Sequence, residues 1–163
     1  MSLRVKIHGR RSPTFNGLSA ASSRASAAAR ASSRKSGTRC EVALKREIWT
    51  LGLRYRVNYG VIPGRPDIVF PTARVAVFCD GDFWHGRDLK KRLSLLRRGH
   101  NARYWINKIL ANVARDKQYT RQLTDAGWAV IRLWETDIHK FPPKAARRVA
   151  TAVRKRMKLT NQM

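Results

Sequence analysis

A chain of 163 residues, 43% of them hydrophobic, has room for one compact domain with a core, and for a tail. Its 35 Lys and Arg against 10 Asp and Glu leave a formal charge of +25, more than an ordinary soluble enzyme carries, and so call for a polyanionic partner, nucleic acid before membrane surface. No apolar run approaches the ~18 residues of a membrane span, no apolar stretch of a secretory signal follows the N-terminal charges, and Cys40 and Cys79 make no disulfide or metal pattern; a cytoplasmic, nucleoid-associated protein with no membrane partner is expected.

Residues 1–36 are rich in Ser, Ala and Arg and poor in large apolar side chains, which predicts a flexible basic tail ahead of a domain over 37–163. Thr38-Arg39-Cys40-Glu41 is a capping-box pattern. Leu44, Ile48 and Leu51 then share one helical face, and Gly52 ends that helix. Residues 54–59 alternate and read as a strand. Pro63-Gly64-Arg65-Pro66 is a turn. Strands follow at 67–70 and 74–79, the second apolar enough to be central, with a hairpin turn at 71–73. Leu89, Leu93 and Leu96 mark a short basic helix. Residues 104–123 predict a long helix with Ile106, Ile109, Leu110 and Val113 inward, ending before Gly127. Residues 128–134 are a fourth strand. Pro142-Pro143 opens a last helix with Val149, Val153 and Met157 on one side.

All ten acids lie between Glu41 and Asp137, in a chain that is basic at both ends. Hydrolysis of a phosphodiester needs a polarised phosphoryl oxygen, an activated water and a stabilised leaving oxygen. Hard oxygen ligands suit magnesium. Asp67 opens one strand and Asp80 ends the next, so a hairpin brings Asp67 and residues 79–82 toward one sheet edge. Asp82 and His85 follow within a short loop. Asp-Gly-Asp-Phe-Trp-His-Gly at 80–86 thus sets charge, a flexible Gly, two aromatics and an imidazole in seven residues. Aromatics beside a basic surface can stack on bases or wedge between them.

Pro63 to Asp67, the 77–86 segment Val-Phe-Cys-Asp-Gly-Asp-Phe-Trp-His-Gly, the helical stretch from Tyr104 to Asp116, and Gly127 to Glu135 together resemble the very-short-patch-repair (Vsr) endonucleases. The likeness runs from about Thr38 to Ile138. It implies an α/β fold of PD-(D/E)XK type, with a core of helix, three strands, helix and strand, and a magnesium-dependent endonuclease that nicks DNA next to a T:G mispair. Carried over by position, Asp67 is the metal-binding aspartate and Cys79 offers a backbone carbonyl to the metal. His85 is the second active-site histidine, and Glu41 is an acid on a nearby helix. Phe83, Trp84 and Trp105 are the intercalating aromatics. Arg65, Arg87, Lys108 and Asn112 are the expected DNA contacts.

Two departures from the family pattern stand out. The first active-site histidine is replaced by Asp80, which becomes either a proton acceptor or a further metal ligand, with Asp82 as another candidate oxygen. The places of the zinc-binding Cys and His hold Asp82, basic residues and Thr136, so no structural zinc is expected. The Lys of a standard (D/E)-x-K is absent, and His85 is its substitute. The expectation is therefore a monomeric endodeoxyribonuclease acting on double-stranded DNA. Its rivals are a restriction or phage-defence nuclease of the same fold on paired DNA, and a non-catalytic basic DNA-binding protein. The latter would gain nothing from Asp67, Asp80 and Asp82 together, because they repel phosphate.

Overall fold

The computed structural model describes residues 13–14 and 37–160. The basic tail expected over 1–36 lies outside the described residues, apart from Pro13 and Thr14. Helix α1, Arg39–Thr50, starts at the capping box read from the sequence: the Thr38 side chain accepts the Glu41 N–H, and Glu41 reaches back to the Thr38 N–H. Leu44 and Ile48 of this helix are fully buried.

The strand expected at 54–59 does not form. Arg56 makes one isolated antiparallel bridge to Val69, with N–H···O bonds of 2.8 and 2.9 Å, and pairing stops there. Two residues on, Asn58 takes φ 51, a left-handed conformation that no ladder continues through. Strands β1, Ile68–Phe70, and β2, Val75–Asp80, pair antiparallel with Ile68 opposite Val77. Their turn is closed by the Arg74 N–H on the Pro71 carbonyl. Helix α2, Leu89–Leu96, is short and has no buried residue. Helix α3, Ala102–Asp125, makes the crossover that a parallel pair requires. It leads to β3, Ala129–Trp134, which pairs parallel with β2 from Val75 and Ala129 to Asp80 and Trp134. A six-residue helix, α4 (Glu135–Lys140), and the long α5 (Pro142–Thr160) complete the chain.

The sheet runs β1-β2-β3, and its strand alternation sorts side chains onto two faces. Val75, Val77, Ile68, Phe70, Ile131 and Leu133 join the buried faces of α1, α4 and α5 in the larger core. Ala76 and Phe78 meet Leu123 of α3 with Trp128 and Val130 in a smaller one. Of the four inward residues expected on α3, Ile109 is fully buried and Ile106, Leu110 and Val113 are half-buried. On α5, Val149 and Val153 are buried, but Met157 is 42% exposed, because the last turns of that helix have left the core. No helix among the described residues is long and apolar enough to cross a membrane. Chemistry-bearing residues therefore collect where β2 and β3 end, between α1 on one side and α3 on the other.

Candidate active site

Asp67 and Cys79 face each other across the β1–β2 hairpin. The Cys79 N–H donates to Asp67 Oδ2 at 2.7 Å, and the Asp67 N–H donates to the Val77 carbonyl at 3.0 Å. Burial pushes the Asp67 carboxyl up to about 6; the Cys79 N–H pulls it down, Glu41 and Asp80 push it further up, and Lys45 opposes them. Burial and the charge of Asp67 also push the Cys79 thiol well above its usual range, so its side chain is a neutral thiol and only its backbone is polar. Glu41 is buried, yet its carboxyl lies below the usual value. Burial raises it, but the Gly37 N–H, the Thr38 hydroxyl and the Lys45 ammonium at 3.2 Å outweigh that. Both Glu41 oxygens are thus engaged in holding the start of α1.

The loop after β2 winds back on itself, with the His85 N–H on the Gly81 carbonyl and the Arg87 N–H on that of Asp82, each at 3.1 Å. Gly86 at φ 74 lets the loop press against α3; a Cβ there would sit 2.7 Å from the Val113 side chain. The turn aims His85 at α3, where its Nδ1 lies 2.6 Å from Asp116 Oδ2. Burial raises the Asp116 carboxyl, but the His85 hydrogen bond and the charges of His85, Arg132 and Arg115 more than reverse this and hold it low. An ionised Asp116 fixes the proton on His85 Nδ1 and leaves Nε2 as the nitrogen available for chemistry.

Asp80 is next to Cys79 but points to the α3 side. Arg132 of β3 grips it with a bidentate pair, Nε to Oδ2 and Nη2 to Oδ1, both 2.7 Å. The same Nη2 lies 3.2 Å from Asp116, and Asp80 Oδ1 lies 3.6 Å from His85 Nδ1. A cavity of about 550 Å³ opens on this face, with Asp80, His85, Asp116, Thr120, Arg132 and Trp134 in its lining.

The carboxylates expected to converge are therefore divided. Asp67 stands with Glu41 and Lys45, and Asp80 with Arg132. Asp82 turns away to the Thr136 hydroxyl and to Arg87, which also binds Asp137 at 2.8 Å. Arg87 is thus committed to two acids. Asn112, expected on the DNA face, is buried; its amide donates to the Trp84 carbonyl at 3.1 Å and accepts from Arg115 at 2.7 Å, so it fastens the loop to α3. Arg65 is exposed on a left-handed turn, and Lys108 is half-buried. Phe83, Trp84 and Trp105 gather as expected, with ring centroids 5.0, 6.0 and 5.9 Å apart, and all three are half-buried. Arg92 lies over the Phe83 ring at 5.2 Å.

Sequence reasoning missed Lys45, Asp116 and Arg132. Lys45 follows Glu41 by four residues, a helical pair that spacing reveals. Arg132 is the one charge in an otherwise apolar strand, and a half-buried charge among apolar neighbours calls for an acid partner. Asp116 ends a motif quoted for its resemblance, but nothing local marks it as the partner of His85. Among the described residues, Cys40, Glu135 and His139 have ligand atoms within 4.8 Å of one another. They are not the residues that stand at the positions where the resemblance would put zinc; of those, Asp82 and Thr136 bind each other.

Comparison with known proteins identifies the family. The family described as DNA mismatch endonuclease Vsr matches residues 20–91. A type II nicking enzyme, V.NmeDIP of Neisseria meningitidis serogroup C, is 43% identical over 79% of this chain and 86% of its own length. The type II nicking enzyme V.HpaIIP of Haemophilus parainfluenzae is 39% identical over 78% of this chain and 89% of its own. The DNA mismatch endonuclease Vsr of Escherichia coli (strain K12) is 36% identical over 52% of each chain. The chain belongs to the Vsr family and is an endodeoxyribonuclease.

Proposed function

We propose that this nuclease is a magnesium-dependent enzyme of PD-(D/E)XK type that nicks double-stranded DNA beside a T:G mispair. The observation that carries the reading is the joining of two half-sites through consecutive residues. Asp67 is bonded to Cys79, and Asp80, next in β2, stands beside the His85–Asp116 pair.

The donor set fits a hard divalent cation. Asp67 is a half-buried carboxylate with Glu41 and Asp80 in electrostatic range and Lys45 as the opposing charge. Such a group gains from a cation with oxygen preference, and the Asp67 carboxylate and the Cys79 carbonyl are the ligands proposed. When bound, the cation supplies polarisation of the phosphoryl oxygen and charge relief at the leaving oxygen. Asp80, with both oxygens on Arg132, and Asp82, held by Arg87 and Thr136, are spoken for within the fold.

His85 is the proposed general base. With Nδ1 turned to ionised Asp116, its Nε2 lone pair can take a proton from the attacking water. Phe83, Trp84 and Trp105 are the proposed wedge. Unstacking a base step costs a few kcal/mol, and less where pairing is already weak, so a mispair is favoured before any base edge is read. The exposed Lys144, Arg147, Arg148, Arg154, Lys155 and Lys158 of α5 give positive charge for phosphates. Cleavage of matched T:G and T:A duplexes with magnesium, calcium or chelator tests the reading. Equal cutting of both duplexes would transfer the protein to the restriction or defence class, and cutting in chelator would remove the metal.

A further inference from the structure

The pairing of Asp80 with Arg132 reaches beyond that reading, although it rests on His85 as the base. Arg132 sits on β3 opposite Phe78 of β2, and Asp80 lies two residues further along β2 on the same face. The guanidinium lies over the Phe78 ring at 4.6 Å, and its Nη1 reaches the Thr120 hydroxyl of α3 at 3.5 Å. Its remaining nitrogens take both oxygens of Asp80 and approach Asp116. Three elements, β2, β3 and α3, thus meet on one planar cation. The Asp80 and Arg132 side chains are 5% and 22% exposed.

His85 Nδ1 has two carboxylates within reach, Asp116 at 2.6 Å and Asp80 at 3.6 Å. Left unpaired, Asp80 would compete with Asp116 for the imidazole and could swing it off line. The fork on Arg132 removes that competitor, because both Asp80 oxygens already accept charge-assisted bonds. The same guanidinium steadies Asp116 from its other oxygen. We propose that Arg132 and Asp80 are positioning residues, a clamp that holds Asp116 as the single partner of His85 and keeps Asp80 out of both metal binding and proton transfer. An acid at position 80, where the family pattern has a histidine, is accommodated by the cation at position 132.

The test compares Arg132→Gln, Arg132→Lys and the double variant Asp80→Asn/Arg132→Gln with the parent chain. Cleavage is measured at saturating and limiting duplex. The nitrogen NMR signals of the His85 imidazole, assigned by loss in His85→Gln, are read in the DNA-free protein. Arg132→Gln should lower kcat on the order of 10- to 100-fold, the usual effect of losing a group that orients a reacting partner, with KM little changed. It should also move the His85 signals away from a single Nδ1-protonated form. The double variant removes the competing charge together with its partner; it should recover part of kcat and the parent imidazole signature. Arg132→Lys, which keeps the charge but not the fork, should fall between.

Parent-like His85 signals and kcat in Arg132→Gln would overturn the clamp. A rise in KM at unchanged kcat would also overturn it, making Arg132 a DNA contact. If Arg132→Gln does not fold, the double variant decides: a folded double variant with a scrambled imidazole signature contradicts the proposal. Because the imidazole signals are read without cleavage, failure of His85 as the base and failure of the clamp give different results.

Discussion

The carboxylate of Asp67 accepts the Cys79 N–H at 2.7 Å at the open end of the β1–β2 hairpin, where desolvation pushes that carboxyl up to about 6. An aspartate raised above its unfolded value near 3.8 weakens the fold where it is ionised. The cost is absent below the unfolded pKa, grows as pH rises, and is complete above the folded value.

Asp67→Asn keeps an acceptor for Cys79 but cannot ionise. In chelator at pH 8 it should be more stable than the parent by up to about 3 kcal/mol, and the difference should vanish toward pH 4. Urea unfolding at the two pH values checks this. Equal stability at pH 8 would show that the carboxylate is not under strain. The same variant should lose cleavage by orders of magnitude while still binding DNA.

Asp116→Asn should lower kcat by about 10²- to 10⁴-fold, as should His85→Ala, because each removes the oriented base. Their effects should not add, since both delete one unit. Additive losses in His85→Ala/Asp116→Asn would separate the two residues.

The capping box has a structural role as well as a place beside the site. Thr38→Ala removes the acceptor of the Glu41 N–H and one of the donors to the Glu41 carboxylate, and should cost about 1 kcal/mol. Glu41 has a lowered carboxyl, so its contribution is present above the unfolded value and is lost as pH falls through the folded one. The Thr38→Ala penalty should therefore shrink in acid, which thermal melting across pH will show.

Much of this was legible in the sequence, for local reasons. Thr38-x-x-Glu41 is a four-residue pattern with one stereochemical outcome, and the apolar runs at 67–70 and 74–79 on either side of a short turn foretold the hairpin and the approach of Asp67 to residues 79–82. The rest depends on partners far along the chain. Asp80 finds Arg132 at a separation of 52 residues, and Asp82 finds Thr136 at 54. No periodicity reports such pairs, so three neighbouring acids that look like one cluster separate into different networks. Residues 54–59 alternate as a strand would, but the left-handed Asn58 ends pairing after one bridge. Helix α4 has six residues, too few for a period to show.

Trp84→Ala and Trp105→Ala should each reduce preference for a mispair more than they reduce cleavage of the easier substrate. Trp105 is half-buried rather than part of either core cluster, so both variants should fold. Melting temperatures near the parent, with a smaller ratio of T:G to T:A cleavage, is the expected pattern. An unchanged ratio would place recognition elsewhere.

The central claim is tested most directly by initial nicking rates, with magnesium, on two duplexes identical except for one T:G or T:A pair. The proposed mechanism predicts faster cleavage of the T:G duplex, abolished by chelator and by Asp67→Asn. Equal rates on the two duplexes would contradict mismatch recognition, and a rate that survives chelator would contradict the metal site.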